Sequence, residues 1–145
     1  MHVLTGAHDA VADVVGALIG YELPSPRVAL GSLGADGRLL GGVVFHDWQP
    51  QWRRIELSAA GADRRWMSRP LIAACADYAW RQLDAHVVYQ AAPARFAFSA
   101  KLARALGAER VDLPEMRGPG EAEAVYILTR DAWERSRLGG VHGRS

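Results

Sequence analysis

The sequence predicts a mixed α/β domain, and three observations carry that prediction. Apolar residues recur at helical spacing in three separate segments. Between those segments lie short β-rich runs, some alternating polar and apolar residues and some continuously apolar. Tight-turn signals place the early strands side by side as hairpins. At 145 residues with 50% hydrophobic content, the chain can bury one core without metal or disulfide support. One domain over residues 1–138 is expected, followed by a disordered tail at 139–145.

The elements follow in order. Residues 8–19 place Val11, Val14, Val15, Leu18 and Ile19 on one helical face, and Gly20, Pro24 and Pro26 end the helix. Residues 27–33 and 38–48 are β-rich runs. They are joined by Gly34-Ala35-Asp36-Gly37, where Asp-Gly supplies the positive φ that a tight hairpin needs. Gln49-Pro50-Gln51 separates Trp48 from Trp52 and turns a second hairpin. In the strand that follows, Arg54, Glu56 and Ser58 alternate with Ile55, Leu57 and Ala59, giving two unlike faces.

An arginine-studded turn at 61–70 leads into a helix over 67–83, marked by Leu71, Ala74, Cys75, Tyr78, Ala79 and Leu83. Residues 86–91 read as a strand and 95–106 as a helix stopped by Gly107. Residues 110–113 and 122–129 read as a last strand pair, and 130–137 as a further helical turn.

Charge excludes some classes. Lys plus Arg total 17 against 16 for Asp plus Glu, and a net charge of +1 gives no footprint for nucleic acid. Lys101 is the lone lysine, so arginine, the side chain suited to bidentate phosphate and carboxylate contacts, carries the positive charge. Cys75 stands alone, which suits a reducing compartment. The five histidines lack ligand spacing, so no metal site is expected. The N-terminal stretch lacks the pattern of a secretory signal, and no run reaches membrane-spanning length. A cytoplasmic protein without membrane contact is the expectation.

The most informative stretch is 53–83, a strand, an arginine turn and a helix. Free backbone N–H groups and the dipole at a helix start favour anions, and Arg64, Arg65 and Arg69 cluster there, so phosphate is the natural guest. Solvated loop charges or a salt-bridge cluster are the plainer reading.

The element order, together with residues 55–60, the turn at 63–68, the helix at 67–83, and Ser99, Leu102, Leu106, Gly107 and Ala108, resembles the GNAT (GCN5-related N-acetyltransferase) superfamily. The Arg64-Arg65-Trp66-x-x-Arg69 turn with Asp77-Tyr78-Ala79-Trp80 further resembles a branch found among bacteriophage and prophage genes. The resemblance implies a mixed, mostly antiparallel central sheet flanked by helices, and acetyl-CoA as co-substrate. It also implies direct transfer to a small-molecule or peptide amine. Leu57, Ser58, Ala59, Arg64, Arg65, Trp66, Met67, Ser68 and Arg69 are then the cofactor-binding candidates. Trp66 and Ser68 occupy positions that are small in the family, Phe96 aligns with its frequent Asn, and Ala103 with its frequent Tyr acid. A non-catalytic module of the same fold, with a homodimer covering exposed hairpin edges, is therefore the alternative.

For the chemistry, Glu56 is the candidate base on the polar face of the central strand, or else a surface glutamate paired with Arg54 or a neighbour. His46 is a second candidate base, because the short turn between Trp48 and Trp52 brings it near Arg54 and Glu56; a structural strand histidine is the plainer reading. Tyr89, beside that strand, is a possible acid or else a core or rim tyrosine. Cys75 reads as a core residue.

Overall fold

The computed structural model describes residues 2–96 and 100–143. Seven strands form one sheet in the order β1-β2-β3-β4-β5-β7-β6. The strands are β1 (His2–Leu4), β2 (Arg27–Leu33), β3 (Leu39–Gln49), β4 (Arg54–Gly61), β5 (Val87–Pro93), β6 (Glu109–Leu113) and β7 (Glu123–Thr129). Every neighbouring pair is antiparallel except β4 with β5. The expected mixed, mostly antiparallel sheet flanked by helices is what the chain forms.

Strand alternation sorts side chains onto two faces. Ala29, Val44 and Ala60 meet Val11, Ala12 and Val15 of α1 (His8–Ile19). On the other face, Leu30, Val43, Phe45 and Ile55 pack with Leu71 and Ala76 of α2 (Arg69–Ala76) and with Trp133 of α4 (Arg130–Arg135). The helix α3 (Ala100–Leu106) joins that second layer, where Leu106 packs against the same core.

Four expectations need correction. First, α1 buries Val11, Ala12, Val15 and Gly16, while Val14 and Leu18 are 36% and 47% exposed. The helix seats its small residues because the sheet offers glycine beneath it: a Cβ on Gly42 would lie 2.5 Å from Val11 Cγ1. Second, β1 was not foreseen, since three residues are too few to show alternation; it pairs Val3 with Ser32.

Third, the helix expected over 67–83 begins at Arg69, capped by Ser68 Oγ, which accepts from Leu71 N at 3.3 Å, and changes to a π-helical turn over Asp77–Gln82. Fourth, α5 (Arg137–Gly143) occupies most of the stretch expected as a disordered tail. Ser136 Oγ accepts from Gly139 N at 3.0 Å, and Leu138 packs against the main core. The helix expected over 95–106 is represented by a 3-10 turn (Ala94–Phe96) and by α3. Ser99 and the side chain of Phe96 lie outside the described residues.

Candidate active site

The site begins where the sheet parts. β4 and β5 pair over Arg54↔Val87, Ile55↔Val88 and Glu56↔Tyr89. Beyond that point β4 stays with β3 up to Gly61, and β5 stays with β7 up to Pro93. The facing edges at Leu57, Ser58 and Ala59 and at Gln90 and Ala91 therefore do not pair with each other, and an extended ligand entering the fork would find backbone donors and acceptors on both sides.

On the α2 face the fork opens into a cleft of about 810 Å³, part of it solvent. Leu57 and Ala59, Met67, Ile72, Gln90, Leu106 and Trp133 line it, so its wall is almost wholly apolar. Gln90 breaks that pattern: its side-chain carbonyl oxygen is closed to solvent and has no hydrogen-bond partner among the described residues. Such an atom costs stability until a guest donates to it. Cys75 is also in the wall, and desolvation there pushes its thiol up to about 12. At pH 8, Cys75 should react with a thiol reagent on the order of a thousandfold more slowly in the folded protein than in the urea-unfolded chain, as absorbance of the released thiol would read. Equal rates would show that the thiol is not desolvated.

The opposite face carries the polar groups. Register places Arg27, His46, Glu56 and Tyr89 opposite one another on four successive strands, one transverse row ending at the fork. His46 is 3% exposed and has both ring nitrogens engaged, Nδ1 2.6 Å from Asp47 Oδ2 and Nε2 2.9 Å from Ser58 Oγ. Adjacent strand residues normally point to opposite faces. Asp47 reaches its own neighbour because it adopts a left-handed conformation, φ 57°, at the irregularity between His46 and Gln49. His46, Asp47 and Glu56 bring one nitrogen and two carboxylate oxygens within 4.8 Å, a spacing that a cation could bridge although no local sequence motif announces it.

Glu56 and Arg54 form no ion pair within 4.0 Å among the described residues. Glu56 instead faces Tyr89. Burial first, and then the charge of Glu56, raise the phenol above its ordinary value, so Tyr89 holds its proton at neutral pH. The Arg54 guanidinium lies 4.7 Å over the Trp52 ring and 5.7 Å from that of Tyr89.

The arginine turn is largely tied to itself. Asp63 Oδ1 accepts from Arg65 N at 2.8 Å and from Arg65 Nε at 3.1 Å, and Oδ2 accepts from Arg65 Nη2 at 3.0 Å. Those bonds hold the Asp63 carboxyl at about 2. Trp66 lies on the glycines of β3 and β4, where a Cβ on Gly61 would meet Trp66 Cγ at 2.1 Å. Arg64 and Arg69 are exposed, and neither joins an ion pair among the described residues.

Asp47, Gln90 and the bond from Ser58 to His46 escaped sequence reasoning. The one available signal was parity: Ser58 shares its strand face with Glu56, and so with His46.

No protein-family model matches the chain, and no curated protein matches it. Solved structures do. A single-residue mutant of the spermidine N-acetyltransferase SpeG from Vibrio cholerae superposes with a TM-score of 0.71 at 12% identity, covering 93% of this chain and 98% of that one. The fold is that of the GNAT acetyltransferases. A mutant form of the spermidine/spermine N-acetyltransferase SpeG from the same organism gives 0.71 at 14% identity, over 91% of this chain and 96% of that one. A dodecameric structure of the Vibrio cholerae spermidine enzyme gives 0.63 at 17%, over 77% and 69%. At these identities the likeness concerns the fold alone. Trp66 packs on Gly41 and Gly61 before α2, and Ala103 is buried in the cleft wall.

Proposed function

We propose that this chain is an acyl-CoA-dependent N-acyltransferase that moves an acetyl group from acetyl-CoA directly to a small amine. The observation that carries the reading is the fork itself, with an apolar cleft on one face and the Tyr89–Glu56–His46 row on the other. The donor's extended arm would lie along the open edges at Leu57, Ser58, Ala59 and Gln90. Arg64 and Arg69 are the charges available to its phosphates, with Arg65, Trp66, Met67 and Ser68 shaping the turn. The acceptor would approach from the polar face. Its ammonium gives a proton to Glu56, nitrogen attacks the thioester carbonyl, the C–N bond forms, and the C–S bond breaks as Tyr89 protonates the departing thiolate; the second proton leaving the nitrogen restores the Tyr89 phenol, and Glu56 passes its proton to solvent. Both nitrogens of His46 are already engaged, so Glu56 is assigned as base and His46 supports it from behind.

Thermal unfolding tests the donor site. Acetyl-CoA at about 100 times its dissociation constant should stabilise the protein by roughly 2.7 kcal/mol. An unchanged melting temperature at millimolar acetyl-CoA would overturn the reading. Arg64→Ala and Arg69→Ala should each weaken donor binding about tenfold or more; unchanged affinity in both would move the phosphates elsewhere.

A second reading rests on a specific observation: Trp66 closes on Gly61 and Arg65 is committed to Asp63, as though the phosphate turn had been filled. The chain would then be a non-catalytic GNAT-fold binding or structural module, with a second copy covering edge strand β1 or β6. Thiol release with a panel of amines separates the two, because only the enzyme liberates coenzyme A. Among the described residues, no helix is long and apolar enough to cross a membrane.

A further inference from the structure

Arg54 has no role in the chemistry above, yet it lies two residues behind the point where β4 and β5 part, at the paired end of the same strands. It shares the polar face of β4 with Glu56, two residues along, which sets the two side chains roughly 6.6 Å apart at the backbone. Its guanidinium lies near the rings of both Trp52 and Tyr89. Nη2 donates to Gln49 Oε1 at a long 3.3 Å, while Nε is closed to solvent and has no acceptor among the described residues. No carboxylate lies within ion-pair distance of Arg54 among the described residues. A cationic donor kept from water without an acceptor is costly unless a guest completes it, and a planar guanidinium is shaped for carboxylate.

We infer that the acceptor is an amine bearing a carboxylate, an amino acid rather than a polyamine, with its carboxylate on Arg54 and its ammonium on Glu56. The inference rests on the acyl-transfer reading for its orientation, since that reading puts the reacting nitrogen at Glu56. An ammonium and a carboxylate on one carbon, with a hydrogen bond of about 2.8 Å at each end, make a span that two long side chains on one strand face, two residues apart, can bracket. A polyamine would bring a second positive charge toward the guanidinium, with no carboxylate to offset it. Trp52 is 57% exposed beside Arg54, leaving the acceptor's own side chain an aromatic surface to rest on.

Calorimetric titration of the whole chain with the free amino acids, their carboxamides and spermidine tests this, alongside thiol release from acetyl-CoA. At least one free amino acid should bind about tenfold or more tighter than its carboxamide, because the carboxamide cannot complete the charged pair. In Arg54→Gln that ratio should fall to about one, and Arg54→Lys, which keeps the charge but loses the fork, should keep part of it. Equal affinity for acid and carboxamide, tighter binding of spermidine, or an unchanged ratio in a folded Arg54→Gln would each overturn the inference. Failure of the acyl-transfer reading shows itself separately, as neither stabilisation by acetyl-CoA nor thiol release, whatever the titrations give.

Discussion

Replacing Glu56 by glutamine should lower the thiol-release kcat by about 10²–10³-fold while leaving acetyl-CoA affinity unchanged. The substitution keeps the shape of the side chain and removes only its ability to take a proton. Stability should hardly move, because Glu56 forms no ion pair with Arg54 and lies on a half-buried strand face. Donor binding is spared because the cleft lies on the other side of the sheet. Single-turnover kinetics with acetyl-CoA, paired with a thermal shift, reads the two quantities apart. The competing assignment gives a different outcome: were His46 the base, Glu56→Gln would cost only a few-fold and His46→Gln would take the large loss. Tight bonds from His46 to Asp47 and Ser58 argue for the first outcome, since an imidazole with both nitrogens engaged must break one bond before it can serve.

Phe45→Ala should destabilise the fold by about 3–5 kcal/mol. Phe45 is 1% exposed, its ring stands 5.0 Å from that of Tyr78 at an interplanar angle of 50°, and it sits opposite Leu57 in the β3–β4 register. It therefore joins the central strands to the helical layer and forms part of the cleft wall. Against a typical domain stability of about 5–15 kcal/mol the loss is a large fraction. Urea denaturation measures it directly. Phe45→Leu keeps most of the volume and should cost under about 1.5 kcal/mol. If Phe45→Ala cost less than about 1 kcal/mol, the ring would not be holding the layers together.

Much of the frame was legible because its signals are local. The Asp36-Gly37 turn is written in the chain, and Gly37 takes the positive φ of 81° that the dipeptide favours. Gly107, at φ 86°, stops α3 as its position indicated. Alternation along β4 assigned Ile55 and Leu57 to one face and Glu56 and Ser58 to the other, and the shortness of the turn before β4 brought His46 to the same row. The same local logic failed at α1. Helical periodicity cannot tell which side of an apolar stripe the sheet will accept, and here the glycines of β2 and β3 chose the side carrying Val11, Ala12 and Val15.

Sequence by itself determined the mixed fold, the strand and helix order, and the residue types gathered near the fork, because periodicity, turn chemistry and caps act over a few neighbouring residues. Tertiary structure decided what those residues do to one another. Asp47 adopts a left-handed backbone that places its carboxylate on His46, Arg65 turns to Asp63, and Trp66 settles onto Gly61 and Gly41. Gln90 and Arg54 each retain a buried polar atom without a partner among the described residues. Each of these outcomes depends on which groups the register and packing bring within a few ångströms of one another. Hydrogen bonds and desolvation operate at that distance, and residues separated along the chain acquire it only once the sheet has formed.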